Sequence, residues 1–179
     1  MLKIPYGLSH FERIRTKHFL YVDKTHFVEK IEAFDYVMYL RPRRFGKSLF
    51  LSMLDRYYYY DIASADKFDM LFKGLSIHEQ PTEYQSNYYI LRFNFSGIDH
   101  VKPNDLQTGF VRKVREGAQA FINKYRLDIK LAPSSSAADM LGSLLGEFAN
   151  LELSHKIYIL IDEYDHFTNA LLTGDGTEF

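Results

Sequence analysis

Apolar runs along the chain predict four strands. They lie at Phe19–Val22, Tyr36–Leu40, Tyr88–Phe95 and Ile157–Ile161. The third run alternates in character and is rich in aromatic and β-branched side chains, a pattern typical of strands. The last run is apolar without interruption, which indicates a strand covered on both faces, as in a parallel sheet.

Apolar residues at helical spacing predict helices between these strands. The first helix covers about Thr25–Phe34, and either Asp23 or Thr25 is placed to cap it. The second covers about Lys47–Tyr60, a stretch without proline or glycine. The apolar positions of this second helix that recur at helical spacing are Leu49, Leu51, Leu54 and Tyr58.

Two further helices are predicted in the second half of the chain, beyond an expected loop at Gly74–Gln85. The longer one begins at Asn104 as its N-cap and is amphipathic. Its apolar positions are Phe110, Val114, Ala118, Phe121 and Tyr125. The shorter one follows Pro133 and has an apolar side formed by Leu141, Leu144, Leu145 and Phe148. Strands that are separated by helices indicate an α/β fold.

The composition excludes some classes of protein but does not indicate a particular reaction. The chain has 179 residues, of which 46% are hydrophobic, and this is enough for one domain with a core. The net charge of −1 gives no general attraction to nucleic acid or to an anionic membrane. Cysteine is absent, which excludes disulfides and thiolate metal sites. The first residues lack the apolar core of a signal peptide, so a cytoplasmic protein is expected.

The segment YLRPRRFGKSLFL, residues 39–51, contains a candidate phosphate-binding loop. The pattern G-x-x-x-x-G-K-[ST] is met at Gly46, Lys47 and Ser48, but Arg41 stands where the first glycine is usual. The triplet alone is weak, because on the order of one chain in ten of this length would contain it by chance. Here, however, it follows a predicted strand and opens a predicted helix, which is the arrangement that phosphate binding requires.

The loop yields a specific set of candidate residues. Lys47 is placed to reach the β- and γ-phosphates of a nucleotide, and Ser48 is placed to ligate Mg²⁺. Arg43 and Arg44 either contact phosphate or a carboxylate such as Glu163, or are solvated or paired with acidic residues elsewhere. The predicted nucleotide-binding residues are Arg44, Phe45, Gly46, Lys47, Ser48 and Leu49.

A second motif follows the strand Ile157–Ile161. Asp162 at the strand tip is suited to hold the magnesium ion, and Glu163 is suited to polarise a water for attack on the γ-phosphate. A core strand that simply ends in exposed acidic residues is the alternative. Because both motifs occur in the expected order, we predict an ATP site in which Glu163 and Lys47 are catalytic, while Ser48 and Asp162 hold the metal.

Other patterns give weaker indications. The seven histidines show no metal-ligand spacing. Tyr57–Tyr60 either stack on nucleic-acid bases or, as the amphipathic pattern favours, pack in a core. Arg112, Lys113 and Arg115 form either a basic patch or the solvated face of a helix. Direct nucleic-acid binding through the arginines of residues 41–44 is disfavoured by the near-neutral charge.

The segments RPRRFGKSLFLSMLD (41–55) and IYILIDEYDHF (157–167) resemble the two signature segments of the AAA-ATPase-like proteins of bacteria and archaea. GLSHF (7–11), YVDKTHFVEKI (21–31), LFKGLSI (71–77) and LRFNFSGID (91–99) are also similar to that family. The resemblance extends from about Gly7 to Asn169. In that family an arginine regularly replaces the first glycine of the phosphate loop.

The resemblance implies a P-loop NTPase-type three-layer sandwich with a mainly parallel sheet, and ATP and Mg²⁺ as ligands. It gives Gly46, Lys47 and Ser48 the Walker A roles, and Asp162 and Glu163 the Walker B roles. Members often continue into a nuclease-like domain of the PD-(D/E)XK superfamily, which would be an effector. Self-association of a sheet with exposed edges would give a homo-oligomer.

The resemblance also implies that residues 1–179 are the N-terminal part of a single AAA-ATPase-like domain, truncated after the Walker B strand. The sensor strand would follow the last residues, TGDGTEF. Two functions are therefore open. The chain is either an ATPase domain that switches or powers an effector, or a nucleotide-binding or protein-interaction module that does not hydrolyse ATP.

Overall fold

A computed structural model describes residues 3–40, 42, 44–60, 65–98, 103–134 and 136–164. The chain divides into two compact units, Met1–Tyr89 and Ile90–Phe179, and each is described by itself. The helices and strands are α1 (Phe11–Thr16), a 3₁₀ helix (Thr25–Phe27), α2 (Val28–Glu32), α3 (Lys47–Tyr58), α4 (Ala65–Phe72), α5 (Ser76–Glu79), β1 (Tyr88–Asn94), α6 (Pro103–Tyr125), α7 (Ala137–Asn150) and β2 (Lys156–Asp162).

Helix α3 is the central element of the first unit. Its N-terminal half is tied to α1 by a hydrogen bond of 3.0 Å from the Phe11 N–H to Ser52 Oγ. The buried hydrophobic side chains of α3 are Phe50, Met53, Leu54, Tyr57 and Tyr58. The helix confirms the sequence prediction, although its buried face is rotated away from Leu49 and Leu51, which are half-buried.

The first two residues of the tyrosine run belong to the core of the first unit. Tyr57 and Tyr58 are 0% exposed. Their rings meet edge to face, and Tyr57 also contacts the ring of Phe72. Core packing, which the amphipathic pattern favoured, is therefore correct for these two tyrosines, and stacking on bases is not available to them.

Asp23 joins two segments of the first unit. Its Oδ1 accepts hydrogen bonds from the N–H and the hydroxyl of Thr25, at 2.8 and 2.7 Å. Its Oδ2 accepts from the N–H and the hydroxyl of Ser76, also at 2.8 and 2.7 Å. The carboxylate thus holds the start of the 3₁₀ helix and the start of α5, although the N-cap of the 3₁₀ helix is Lys24 rather than the predicted Asp23 or Thr25. Helix α5 itself lies inside the region that was expected to be a loop.

Two predicted strands of the first unit are wrong. Phe19–Val22 contributes one isolated parallel bridge, between Phe19 and Lys3, rather than a strand. Tyr36–Leu40 forms neither a strand nor a helix. Tyr36, Met38 and Leu40 are 95%, 70% and 70% exposed. An apolar run becomes a strand only when a neighbouring strand bonds to it, and no such neighbour exists among the described residues.

The second unit contains two parallel strands, β2 beside β1, with the amphipathic helices α6 and α7 packed on each other. Beyond the end of β1, the Phe95 N–H donates to the backbone oxygen of Asp162 at 3.1 Å. Both strands and both helices confirm the sequence predictions. Helix α6 begins at Pro103 rather than after an Asn104 cap, because proline fits the first turn of a helix, where an N–H is not needed. The result is an α/β arrangement; the three-layer sandwich stays a prediction.

The two faces of β2 differ. Leu160 and Asp162 are each 3% exposed, whereas Ile159 and Ile161 are 47% and 44% exposed. The expectation that this strand is covered on both faces is therefore wrong for the part of the chain that the structure describes. A continuous apolar run shows that both faces of a strand can be buried. It does not show whether a second layer of structure covers the other face. Among the described helices, none is long and apolar enough to cross a membrane.

Candidate functional site

The predicted phosphate loop leads directly into α3. Gly46 is the N-cap of this helix and has φ +81°, a left-handed conformation that glycine adopts at little cost. The Phe50 N–H donates to the Gly46 oxygen at 2.9 Å, which closes the first turn. Lys47 and Ser48 are thereby the first two residues of the helix, as the motif predicts.

The charge distribution at this helix end suits an anion. Gly46 has no side chain with which to cap the helix, and no acidic residue lies in the first turn. The N–H groups of the first turn of an α-helix have no carbonyl partner within the helix, and the macrodipole is positive there. A helix of 12 residues therefore presents its positive end beside the cationic side chain of Lys47.

The loop before Gly46 has an uncommon backbone. Arg44 has φ +68°, although it carries a side chain, and residues other than glycine populate this region infrequently. Both Arg44 and Phe45 are exposed, whereas Lys47, Ser48 and Leu49 are half-buried. All six predicted nucleotide-binding residues are thus consecutive in one loop and helix start. Arg41 and Arg43 lie outside the described residues.

A second lysine lies beside the same loop. A Cβ atom placed on Gly46 would lie 3.9 Å from Nζ of Lys24. Lys24 is half-buried and precedes the 3₁₀ helix, between the hydrogen-bonded residues Asp23 and Thr25. It was not among the residues that the sequence singled out.

The predicted Walker B residues end β2 in the second unit. Asp162 is 3% exposed. Its Oδ1 accepts a hydrogen bond of 3.1 Å from the Glu163 N–H, and its Oδ2 accepts one of 3.2 Å from a guanidinium nitrogen of Arg92 on β1. Because a buried carboxylate is costly without such contacts, the Arg92 side chain stabilises its charge.

Glu163 follows in a left-handed conformation, with φ +57°. Such a conformation in a residue with a side chain costs free energy, and it is concentrated at functional positions in proteins. It also ends the strand, because the left-handed backbone departs from the extended form. The side chain is half-buried.

The two motifs belong to different compact units. Gly46, Lys47 and Ser48 lie in Met1–Tyr89, and Asp162 and Glu163 lie in Ile90–Phe179. The structure therefore brings the residues of each motif together within its own unit. That the two motifs act on one nucleotide stays a prediction.

The chemistry of the donors fits Mg²⁺. This ion prefers oxygen ligands, and it is usually held by one or two protein groups together with phosphate oxygens and waters. The hydroxyl of Ser48 and the carboxylate of Asp162 are oxygen donors of that kind. Among the described residues, no group of three or more His, Asp or Glu could hold a metal ion. That Ser48 and Asp162 hold one Mg²⁺ ion stays a prediction.

The basic residues of α6 are engaged with neighbours. Arg112 and Lys113 both form salt bridges with Glu116, at 2.8 and 3.3 Å, and Arg115 donates to the oxygen of Ser134. Each side chain therefore has an acceptor close by. This arrangement is what a solvated helix face would show, with one carboxylate, Glu116, shared between Arg112 and Lys113.

Two residues near the motifs were missed by sequence reasoning, Arg92 and Lys24. For Arg92 a signal existed, since it shares one face of the predicted strand with apolar Ile90, where a charged residue needs a partner. For Lys24 the signal was weaker: it stands between two residues with short polar side chains. The partners lie 70 and 22 positions away, and contacts at that separation depend on how the elements pack.

Comparison with known proteins shows the family of the chain. The family described as Predicted AAA-ATPase matches residues 5–178. A protein of Azotobacter chroococcum mcd 1, described as an uncharacterized protein in the vnfD 5′ region, is 30% identical over 165 residues, which is 91% of this chain. The chain spans 29% of the length of that relative. No solved structure matches the chain. The match over nearly all residues shows that the chain belongs to the family of predicted AAA-ATPases.

Proposed function

We propose that the chain binds ATP with Mg²⁺ at the loop formed by residues 44–49. One observation carries this proposal: a left-handed Gly46 starts a helix whose first two residues are Lys47 and Ser48 and whose first turn has no acidic residue. Membership of a predicted AAA-ATPase family supports an ATPase-like role in general. The nucleotide, the metal and the residues involved are our proposal.

Each residue has a distinct role in this proposal. The N–H groups from Arg44 to Leu49 bind the phosphate oxygens, and the Lys47 ammonium balances the charge of the β- and γ-phosphates. Ser48 Oγ and the Asp162 carboxylate hold Mg²⁺, which supplies charge neutralisation. Phe45 is exposed and its side chain has no polar group, so it contributes to the loop through its backbone N–H.

Hydrolysis would proceed at the γ-phosphate. The Glu163 carboxylate accepts a proton from a water as that water oxygen bonds to the γ-phosphorus. The bond from this phosphorus to the bridging oxygen breaks, so that ADP and inorganic phosphate result. A cycle of binding and hydrolysis would switch or power an effector, such as a nuclease-like domain, in a longer homo-oligomeric protein.

A second candidate function is nucleotide binding without hydrolysis. The salt bridge from Arg92 to Asp162 Oδ2 favours it, because this contact occupies an oxygen that a metal would need. In that case the nucleotide would stabilise one conformation of an interaction module. Phosphate release distinguishes the two functions, since binding is common to both.

The binding proposal is tested by thermal unfolding with and without Mg-ATP. A ligand present at about 100 times its Kd stabilises the folded state by about 2.7 kcal/mol, so the wild-type melting temperature should rise by several degrees. Lys47→Ala should remove the rise, because it removes the phosphate-binding ammonium. Lys17→Ala, at an exposed lysine that follows α1, is the matched control and should keep it. Equal melting temperatures with and without Mg-ATP in the wild type would contradict the proposal.

A further inference from the structure

We propose that Lys24 is a second phosphate-binding lysine of the loop, contacting the terminal phosphates of the nucleotide. The observation behind this proposal is that Lys24 Nζ lies 3.9 Å from the position that a Cβ of Gly46 would have. This inference rests on the proposed binding of a nucleotide at the loop.

The backbone on both sides of Lys24 is held in place. Asp23 uses both carboxylate oxygens for hydrogen bonds to Thr25 and Ser76. Thr25 is 0% exposed, and its hydroxyl oxygen accepts the Ile77 N–H at 3.1 Å. Two anchored residues therefore determine where the intervening lysine leaves the backbone, and the long side chain of Lys24 extends from there to Gly46.

Charge favours an anion beside Lys24. Its ammonium joins a stretch that already carries Arg44 and Lys47, while the first turn of α3 contributes no acidic residue. Within the part of the chain that the structure describes, no carboxylate forms a salt bridge with Lys24. A positive charge beside the positive end of a helix favours an anion at that place. A polyphosphate supplies such an anion.

The backbone, and not Lys24, requires glycine at position 46. Its φ of +81° is a conformation that residues with side chains rarely adopt, whereas a Cβ there would only be in ordinary van der Waals contact with Lys24 Nζ, at 3.9 Å. The proximity of Nζ to Gly46 would make the segment around Lys24 part of the nucleotide site.

The test is calorimetric titration of Mg-ATP and Mg-ADP into the full chain. Lys24→Met should weaken Mg-ATP binding at least about tenfold, which corresponds to the loss of one charge-assisted hydrogen bond, and should weaken Mg-ADP binding less. Lys24→Arg should recover part of the affinity, because it restores the charge. Lys17→Met removes the same charge at an exposed site and should bind as the wild type does.

The outcomes separate this inference from the binding proposal. If wild-type protein binds Mg-ATP, Lys47→Ala does not, and Lys24→Met binds as the wild type does, then the role of Lys24 is overturned and the binding proposal stands. A lower melting temperature of Lys24→Met at unchanged affinity would assign the lysine a structural role and also overturn the inference. If the wild type itself fails to bind, both proposals fail. Lys24→Gln provides a second neutral variant if Lys24→Met does not fold.

Discussion

Single residues fix the segments on which the proposed site depends, and Asp23 is the clearest case. Burial raises the pKa of its carboxyl, but the hydrogen bonds from Ser76 and Thr25 outweigh burial and lower it from 3.8 to about 2. The charged form is therefore favoured in the folded state. Since Lys24 is adjacent, the same carboxylate orders the residue that we place on phosphate.

The lowered pKa predicts a pH dependence of stability. A folded-state pKa below the unfolded value contributes stability that is complete above the unfolded pKa and is lost as the pH falls through the folded pKa. For Asp23 this window runs from about 3.8 down to about 2. At neutral pH, Asp23→Asn should lower the free energy of unfolding by about 2 kcal/mol, because an amide cannot accept four hydrogen bonds in this arrangement.

Urea unfolding of wild type and Asp23→Asn at pH 7 and at acid pH measures this effect. The difference between the two proteins should shrink as the pH falls below 3.8. Asp66→Asn, which removes a carboxylate in the first turn of α4, provides a comparison for the general effect of charge removal. A difference for Asp23→Asn that stays constant with pH would show that the hydrogen-bonded carboxylate is not its cause.

Arg92 and Asp162 form the second residue-scale prediction. Arg92→Met should destabilise the protein by about 2 kcal/mol, since it removes a charged donor from a carboxylate that is 3% exposed. In the double variant Arg92→Met, Asp162→Asn the loss should be smaller than the sum of the two single losses. A double-mutant cycle from denaturant unfolding measures this coupling. Additive losses would mean that the two side chains do not support each other.

At the scale of whole elements, the contact of α6 with β1 depends on Gly117. A Cβ on this glycine would lie 2.5 Å from Cδ1 of Phe93 and 2.8 Å from the backbone oxygen of Arg92. The helix therefore approaches the strand so closely that only glycine fits. Gly117→Ala should lower the free energy of unfolding by about 2 kcal/mol, even though alanine has the higher helix propensity.

Helix α7 offers the matched control. A Cβ on Gly142 would meet nothing within 4 Å. Gly142→Ala should therefore stabilise the protein by about 0.5–1 kcal/mol through helix propensity alone. Chemical denaturation of both variants compares the two cases. If Gly117→Ala were as stable as Gly142→Ala, the close approach of α6 to β1 would be wrong.

The elements also show how far the sequence determines the fold. Helices α3, α6 and α7 and strands β1 and β2 were predictable, because each has a periodic or continuous apolar pattern over many residues. Tyr36–Leu40 has a strand-like pattern and forms no strand, since pairing depends on a neighbour that the pattern cannot specify. The loop Arg44–Leu49 could be predicted, because its residues are consecutive in one motif. The positions of Lys24 beside Gly46 and of Arg92 beside Asp162 could not, because they depend on how distant segments pack.

At the scale of the whole molecule, the proposed reaction draws on residues of both compact units. In the proposed reaction, binding would rely chiefly on Lys47 and the loop of the first unit, and hydrolysis would also require Glu163, a residue of the second unit. Glu163→Gln should therefore keep Mg-ATP affinity within about threefold of wild type but lower the rate of phosphate release by about a hundredfold or more. Phosphate release under saturating Mg-ATP measures the rate. A background rate in both proteins would favour the function without hydrolysis.

The central claim is that the nucleotide binds at the loop, and amide hydrogen exchange with and without Mg-ATP tests that location directly. We expect slower exchange at the amides from Gly46 to Leu49, because bound phosphate oxygens would accept their N–H groups, and no such change in Lys47→Ala. Unchanged exchange in this loop at saturating Mg-ATP, or protection confined to other segments, would contradict the account.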